Sequence, residues 1–98
     1  MALLEIKPNC ENCGRALPNG SDHAMICSFE CTFCDQCVHE ILHNVCPNCG
    51  GGFVPRPVRP AALLGKYPPG TVPHIAPVDM TKFAKLLEKN RNIPPNER

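Results

Sequence analysis

The sequence predicts a small, metal-dominated α+β module in its first half, followed by a Pro-rich strap and a C-terminal helix. Three observations predict it. Eight cysteines fall between Cys10 and Cys49, most of them in C-x2-C steps. Only 5% of the residues are aromatic and none is Trp. Twelve prolines interrupt the 98-residue chain too often for long helices or strands. A chain this short and this poor in large apolar side chains buries too little surface to offset its own entropy, so cross-links or metals must supply the difference.

Disulfides and zinc compete for these cysteines, and compartment and spacing both favour zinc. A secretory signal needs a basic start, an apolar run of roughly 7–15 residues and a small-residue cleavage site. The opening Met1 to Pro8 instead carries Glu5 and Lys7, and Cys10 follows at once. No stretch approaches the ~20 apolar residues of a membrane span. The chain therefore reads as soluble, cytoplasmic and free of membrane contact, in a compartment where thiols stay reduced. Its cysteine spacing is C-x2-C-x13-C-x3-C-x2-C-x2-C-x8-C-x2-C. Close neighbours in sequence gain little from cross-linking one another. A C-x2-C turn, by contrast, aims two thiolates at one point, and two such turns complete a tetrahedron with Zn–S near ~2.3 Å. Two structural Zn2+ ions are expected, held by Cys10, Cys13, Cys27, Cys31, Cys34, Cys37, Cys46 and Cys49.

Two segments read as zinc knuckles, Cys10-Glu11-Asn12-Cys13-Gly14 and Cys46-Pro47-Asn48-Cys49-Gly50. Each closes on a Gly, which tolerates the positive φ of a sharp turn, and Pro47 pre-sets φ inside the second. The second also spells a C-P-x-C redox pair, but that role wants a βαβ setting and two cysteines rather than eight. Two ligand pairings are sterically open. Sequential pairing joins Cys10, Cys13, Cys27 and Cys31, then Cys34, Cys37, Cys46 and Cys49. Interleaved pairing joins Cys10 and Cys13 with Cys34 and Cys37, and Cys27 and Cys31 with Cys46 and Cys49. Sequential pairing crowds two anionic clusters across Cys31 and Cys34, whereas interleaving lets both metals clamp one short core.

This ligand order resembles that of a RING finger, with Cys31 at the position usually held by His. The segment Phe33 to Leu42 resembles the RING central helix, and Val38, Ile41 and Leu42 recur at helical spacing. The resemblance implies a cross-brace, treble-clef module with Cys10, Cys13, Cys34 and Cys37 at site 1 and Cys27, Cys31, Cys46 and Cys49 at site 2. Two features depart from RING ligases. Asn12 stands where an apolar residue usually precedes the second ligand, and Gly50-Gly51-Gly52 stands where an Arg often follows the last. The sequence is also similar to domain-of-unknown-function family 1272, a family of small bacterial proteins. That similarity rests on Lys7-Pro8-Asn9-Cys10, on the run Ala24 to Cys34, and on the run Val45 to Gly51. It implies a bacterial cytoplasm, so a ubiquitin-ligase-like enzyme would need a different source and a conjugating partner.

His39-Glu40-Ile41-Leu42-His43 spells the H-E-x-x-H string of zinc proteases. It lies in the short gap between Cys37 and Cys46, which has no room for a substrate cleft, so a solvated helix face is expected. A backup ligand role for His39 or His43 stays open. His23 reads as part of a polar loop, and His74 has no partner near it in sequence. No nucleophile triad, phosphate loop or carboxylate pair stands out. Closed four-thiolate sites leave no open position for water, so no enzyme activity is expected.

The expected division is a zinc module over 1–54, a strap or linker over 55–78 and an amphipathic helix with tail over 79–98. Leu3 to Lys7 reads as a short edge strand. Ala24–Ile26 and Gly52–Val54 read as a strand pair, with Phe29, Phe33 and Phe53 as the aromatic core; left exposed, these rings would instead meet a partner. Pro55 to Pro77 holds seven prolines and tends to extended geometry. Asp79 caps a helix running to about Asn92, with Met80, Phe83, Leu86 and Leu87 on one face. That face must dock on the module, on a second copy as a homodimer, or on a partner. Charge is split, with two basic and six acidic side chains in 1–49 against eight and three in 50–98. The basic half could lie on the acidic module or touch nucleic acid, although its cations are sparse and lack interleaved aromatics. The function these readings favour is a non-catalytic adaptor for an unknown protein partner.

Overall fold

The structure, a computed structural model, describes residues 3–98. Its framework is a hairpin. β1 (Ala24–Ile26) pairs antiparallel with β2 (Thr32–Cys34), setting Ala24 opposite Cys34 and Ile26 opposite Thr32. Residues 27–31 form the tip, closed by the Cys27 N–H donating to the Cys31 carbonyl at 3.1 Å and by Glu30 in the left-handed region at φ 66°. β3 (Val54–Pro55) adds to the other edge of β1, giving the order β2-β1-β3. Pro55 lies in this edge strand, where a missing N–H costs no interior ladder bond.

The expected pairing of Ala24–Ile26 with the segment around Val54 is present but displaced, with Ile26 opposite Val54 and Met25 opposite Pro55. Phe53 turns inward instead, and its N–H donates to Asn44 Oδ1 at 2.9 Å. Leu3 to Lys7 is not a strand. Its carbonyls accept from the Gly70 N–H and from the Arg56 and Arg59 side chains, so no ladder forms.

α1 (Asp35–Cys37) follows β2 directly and widens into a turn with i→i+5 hydrogen bonding over Val38–Leu42. Phe33 and Cys34, expected at the start of this helix, belong to β2. His43 and Asn44, at φ 48° and 61°, end it. Val38 and Leu42 are buried with Leu17, Phe33, Val45 and Phe53 between the cysteine clusters. The Phe33 and Phe53 rings meet edge to face, with centroids 5.5 Å apart. Phe29 is a correction to the expected core: at the hairpin tip it is 74% exposed. The third buried ring is Phe83, only 3% exposed.

The Pro-rich segment lies along the module. Ala76 N–H donates to the Glu11 carbonyl at 2.7 Å and Val78 N–H to Asn12 Oδ1 at 2.9 Å. α2 (Met80–Asn90) starts at Asp79, whose Oδ1 accepts the Thr81 and Lys82 N–H groups at 3.0 and 3.3 Å. It stops two residues before the expected end. Phe83 packs into the core with Leu86 and Leu87 beside it, while Met80, expected on the same face, is exposed on the first turn. The result is a small α+β fold, and no helix among the described residues is long and apolar enough to cross a membrane.

Candidate metal centre

Both knuckles fold the same way. The Cys10 N–H donates to the Arg15 carbonyl at 2.8 Å, and the Gly14 N–H returns to the Cys10 carbonyl at 3.0 Å. In the second, Cys46 N–H meets the Gly51 carbonyl and Gly50 N–H the Cys46 carbonyl, both at 2.8 Å. Gly14 and Gly50 sit at φ 78° and 79°, a conformation that a Cβ disfavours. The repeat C-x-N-C-G is thus one local structure used twice.

The sulfurs fall into two groups. Those of Cys10, Cys13, Cys34 and Cys37 all lie within 4.8 Å of one another, and so do those of Cys27, Cys31 and Cys46. Cys49 Sγ does not join the second group at that distance, and it accepts the Gly51 N–H at 3.4 Å. Within the first group Cys13 and Cys34 are 3.7 Å apart and Cys10 and Cys37 3.9 Å. A disulfide needs about 2.05 Å. A tetrahedron with Zn–S of ~2.3 Å has edges of about 3.8 Å, so these sulfurs fit the edges of a metal site. β2 explains why adjacent cysteines part company. Cys31 precedes the strand and Cys34 ends it, a separation of roughly 10 Å at strand rise.

The electrostatics favour a cation. Burial pushes the Cys31, Cys34, Cys37 and Cys46 thiols above their ordinary range. Burial also opposes ionisation of Cys10, but N–H groups of Cys13, Cys34 and Asn12 outweigh it and leave that thiol lowered. Thiols packed this closely can all ionise only with a compensating positive charge. Two groups of soft sulfur donors suit zinc, and each group could hold a metal ion.

The sequence reading missed what the knuckle asparagines do. Asn12 Nδ2 donates to Cys37 Sγ at 3.5 Å and Asn48 Nδ2 to Cys31 Sγ at 3.4 Å. Each amide reaches from one knuckle to a sulfur supplied by another part of the chain, fixing that sulfur and drawing off part of its charge. The repeated Asn was visible in sequence; its target was not. Glu11 was also missed. Only 4% exposed, it accepts the Thr32 N–H and pairs with Lys7 at 3.1 Å, tying the first knuckle to β2. His74, which has no partner near it in sequence, comes to 3.9 Å from this carboxylate.

His39, Glu40 and His43 are exposed, and none belongs to a metal-competent group among the described residues. His23, read as loop, pairs with Asp35 at 3.0 Å, and with Arg15 it holds that carboxyl below its usual range.

A family model described as "Protein of unknown function (DUF1272)" matches residues 3–59. The chain belongs to this family. The matched span contains all eight cysteines, both knuckles and the three strands, and it ends before α2. A relative in Rhizobium meliloti (strain 1021), an uncharacterized protein, is 55% identical over 75 residues, covering 76% of this chain and 89% of that one. No solved structure matches the chain.

Proposed function

We propose that this chain is a structural two-zinc module of RING-like, cross-brace design that presents a protein-binding surface and carries out no chemistry itself. Cys10, Cys13, Cys34 and Cys37 hold one ion, and Cys27, Cys31, Cys46 and Cys49 the other. The observation that carries the reading is the match, in the first cluster, between the 3.7–3.9 Å sulfur spacing and the edge of a zinc–thiolate tetrahedron. Zinc in such closed sites supplies cross-links in place of a large apolar core. In this reading residues 1–54 are the metal module, 55–78 the strap and 79–98 a helical clasp.

The surface offered to a partner is the hairpin tip. Phe29 stands 74% exposed on a loop fixed at both ends by metal-binding cysteines, with its N–H held by Cys27 Sγ at 3.3 Å. Aromatic side chains, Phe included, are enriched at the cores of protein interfaces. The position that RING ligases use for an apolar contact is Asn12, which here serves Cys37 and the strap.

Cadmium-113 NMR of the substituted protein tests the ligand sets. The reading expects two resonances, each coupled to four cysteines in the sets above. Coupling of Cys10 to Cys27 or Cys31 would overturn it. The adaptor role is tested by identifying proteins held by the zinc-loaded chain and comparing Phe29→Ser. Loss of a specific partner at unchanged zinc content supports the role, and undiminished binding refutes this surface.

A second reading, nucleic-acid binding, draws on Lys82, Lys85 and Lys89, which line the exposed side of α2. It requires binding that falls steeply with added salt. No binding at low salt removes it.

A further inference from the structure

Away from both cysteine clusters, the N-terminal arm and the strap enclose a recess of about 450 Å³. Its apolar lining includes Leu3, Leu4, Ile6, Val58, Leu63 and Tyr67, and its charged lining residues are Arg59 and Lys66. Leu3, Val58 and Leu63 are exposed large hydrophobics that gather here, so the recess leaves a cluster of apolar surface wet. The size lies in the range of small-molecule sites, and the mix of apolar walls with a few polar groups is characteristic of them.

The recess is built rather than incidental. Arg59 is clamped through its backbone, its N–H donating to Asn19 Oδ1 at 2.8 Å and its carbonyl accepting from Asn19 Nδ2 at 2.9 Å. Its guanidinium donates to the Leu4 carbonyl and, at 2.9 Å, to the Tyr67 carbonyl. These bonds join the two walls and leave guanidinium N–H groups over. The Gly70 N–H closes the arm against the strap at the Ile6 carbonyl, 2.9 Å away. The Lys66 ammonium lies 5.4 Å from the Tyr67 ring centre. Glu5 borders an adjoining lobe. Among the described residues, however, neither Arg59 nor Lys66 has a carboxylate within 4.0 Å. Two cations at an apolar hollow, neither paired with a carboxylate among the described residues, suit an occupant with one anionic end.

We propose that this recess binds a small aliphatic carboxylate. Its hydrocarbon tail lies against Leu4, Ile6, Val58 and Leu63, and its carboxylate sits between Arg59 and Lys66. The planar fork of Arg59 suits a carboxylate, and the largely apolar lining suits a ligand with one charged end. None of its lining residues is a cysteine, so the site is distinct from both sulfur clusters.

The test is a titration of the zinc-loaded full chain with decanoate below its micelle concentration, followed by amide NMR. Saturable shifts confined to the arm and to residues 57–67 are expected. Decanol should bind at least tenfold more weakly, and acetate should leave the spectrum unchanged. Lys66→Gln, which touches none of the bonds joining the walls, should weaken decanoate by severalfold with the fold intact. Arg59→Gln should weaken it more but can also loosen the arm, so Lys66→Gln decides. Equal binding of decanol and decanoate, an unchanged Kd in Lys66→Gln, or no saturable shift would overturn the proposal.

Discussion

The cysteine half and the proline-rich half of this molecule are held by different chemistry. In the first, eight thiols gather between three-residue strands and one short helix, and the apolar core is little more than the filling between the sulfur clusters. The second has no cysteine. It is held by Phe83 and by side chains that seek backbone carbonyls. Arg56, only 5% exposed, donates to the carbonyls of Lys7, Leu17 and Pro18. Arg98 reaches those of Ile93, Asn44 and Gly50, and Asn90 also serves Gly50. The charge split suggests that the basic half would meet acidic side chains; Arg56, Arg59 and Arg98 instead meet loop carbonyls. Knuckle and proline-rich loops leave carbonyls without ladder partners, and one guanidinium satisfies several at once. The two halves depend on each other unequally: the clasp grips the Gly50 carbonyl, which only a formed knuckle presents, whereas both knuckle turns close on their own N–H groups.

The largest effect expected is that of breaking a sulfur cluster. Cys34→Ser removes a sulfur that also caps α1 through the Cys37 N–H. Metal binding of this kind contributes on the order of 10 kcal/mol to folding. The variant should lose both halves together, seen as collapse of amide dispersion. The pH dependence follows from the same sulfurs. Burial raises the Cys31 and Cys34 thiols above the ordinary range, so protons compete strongly for them and metal leaves, with the fold, as pH falls. Circular dichroism and metal content of the loaded protein at falling pH should change together, and a fold that outlasts its metal at low pH would contradict this.

Phe83→Ala separates the halves. It should cost about 3–4 kcal/mol, free α2 and expose the Ala76 and Val78 amides to exchange, with metal content unchanged. Loss of metal in this variant would show that the clasp is part of the sites. Asn48→Ala should be milder, about 1 kcal/mol for a lost N–H···S bond. Faster metal loss to a chelator at unchanged stoichiometry is the expected readout. The smallest effect belongs to His39→Ala and Glu40→Ala, both exposed, expected within about 0.5 kcal/mol by urea denaturation and without change in metal content.

What could be read from the sequence was whatever depends on local spacing. Thiolate turns need a fixed step and a glycine, so both knuckles, the Asp79 cap and the helix it starts were legible. What depends on where an element lands was not. Phe29 and Phe83 exchange roles because one sits on a hairpin tip and the other on a helix face turned to the core. β2 was hidden because its three residues, one of them a cysteine, are too few to show alternation. Arg56 looked like one more tail cation, since nothing local marks the three carbonyls it answers.

Native mass spectrometry of the full chain purified under reducing conditions tests the central claim most directly, coupled to hydrogen exchange before and after chelation. The account predicts two zinc ions per chain and loss of slow exchange throughout residues 10–49 once they are removed. A metal-free chain that keeps its protected hairpin and helices would contradict it.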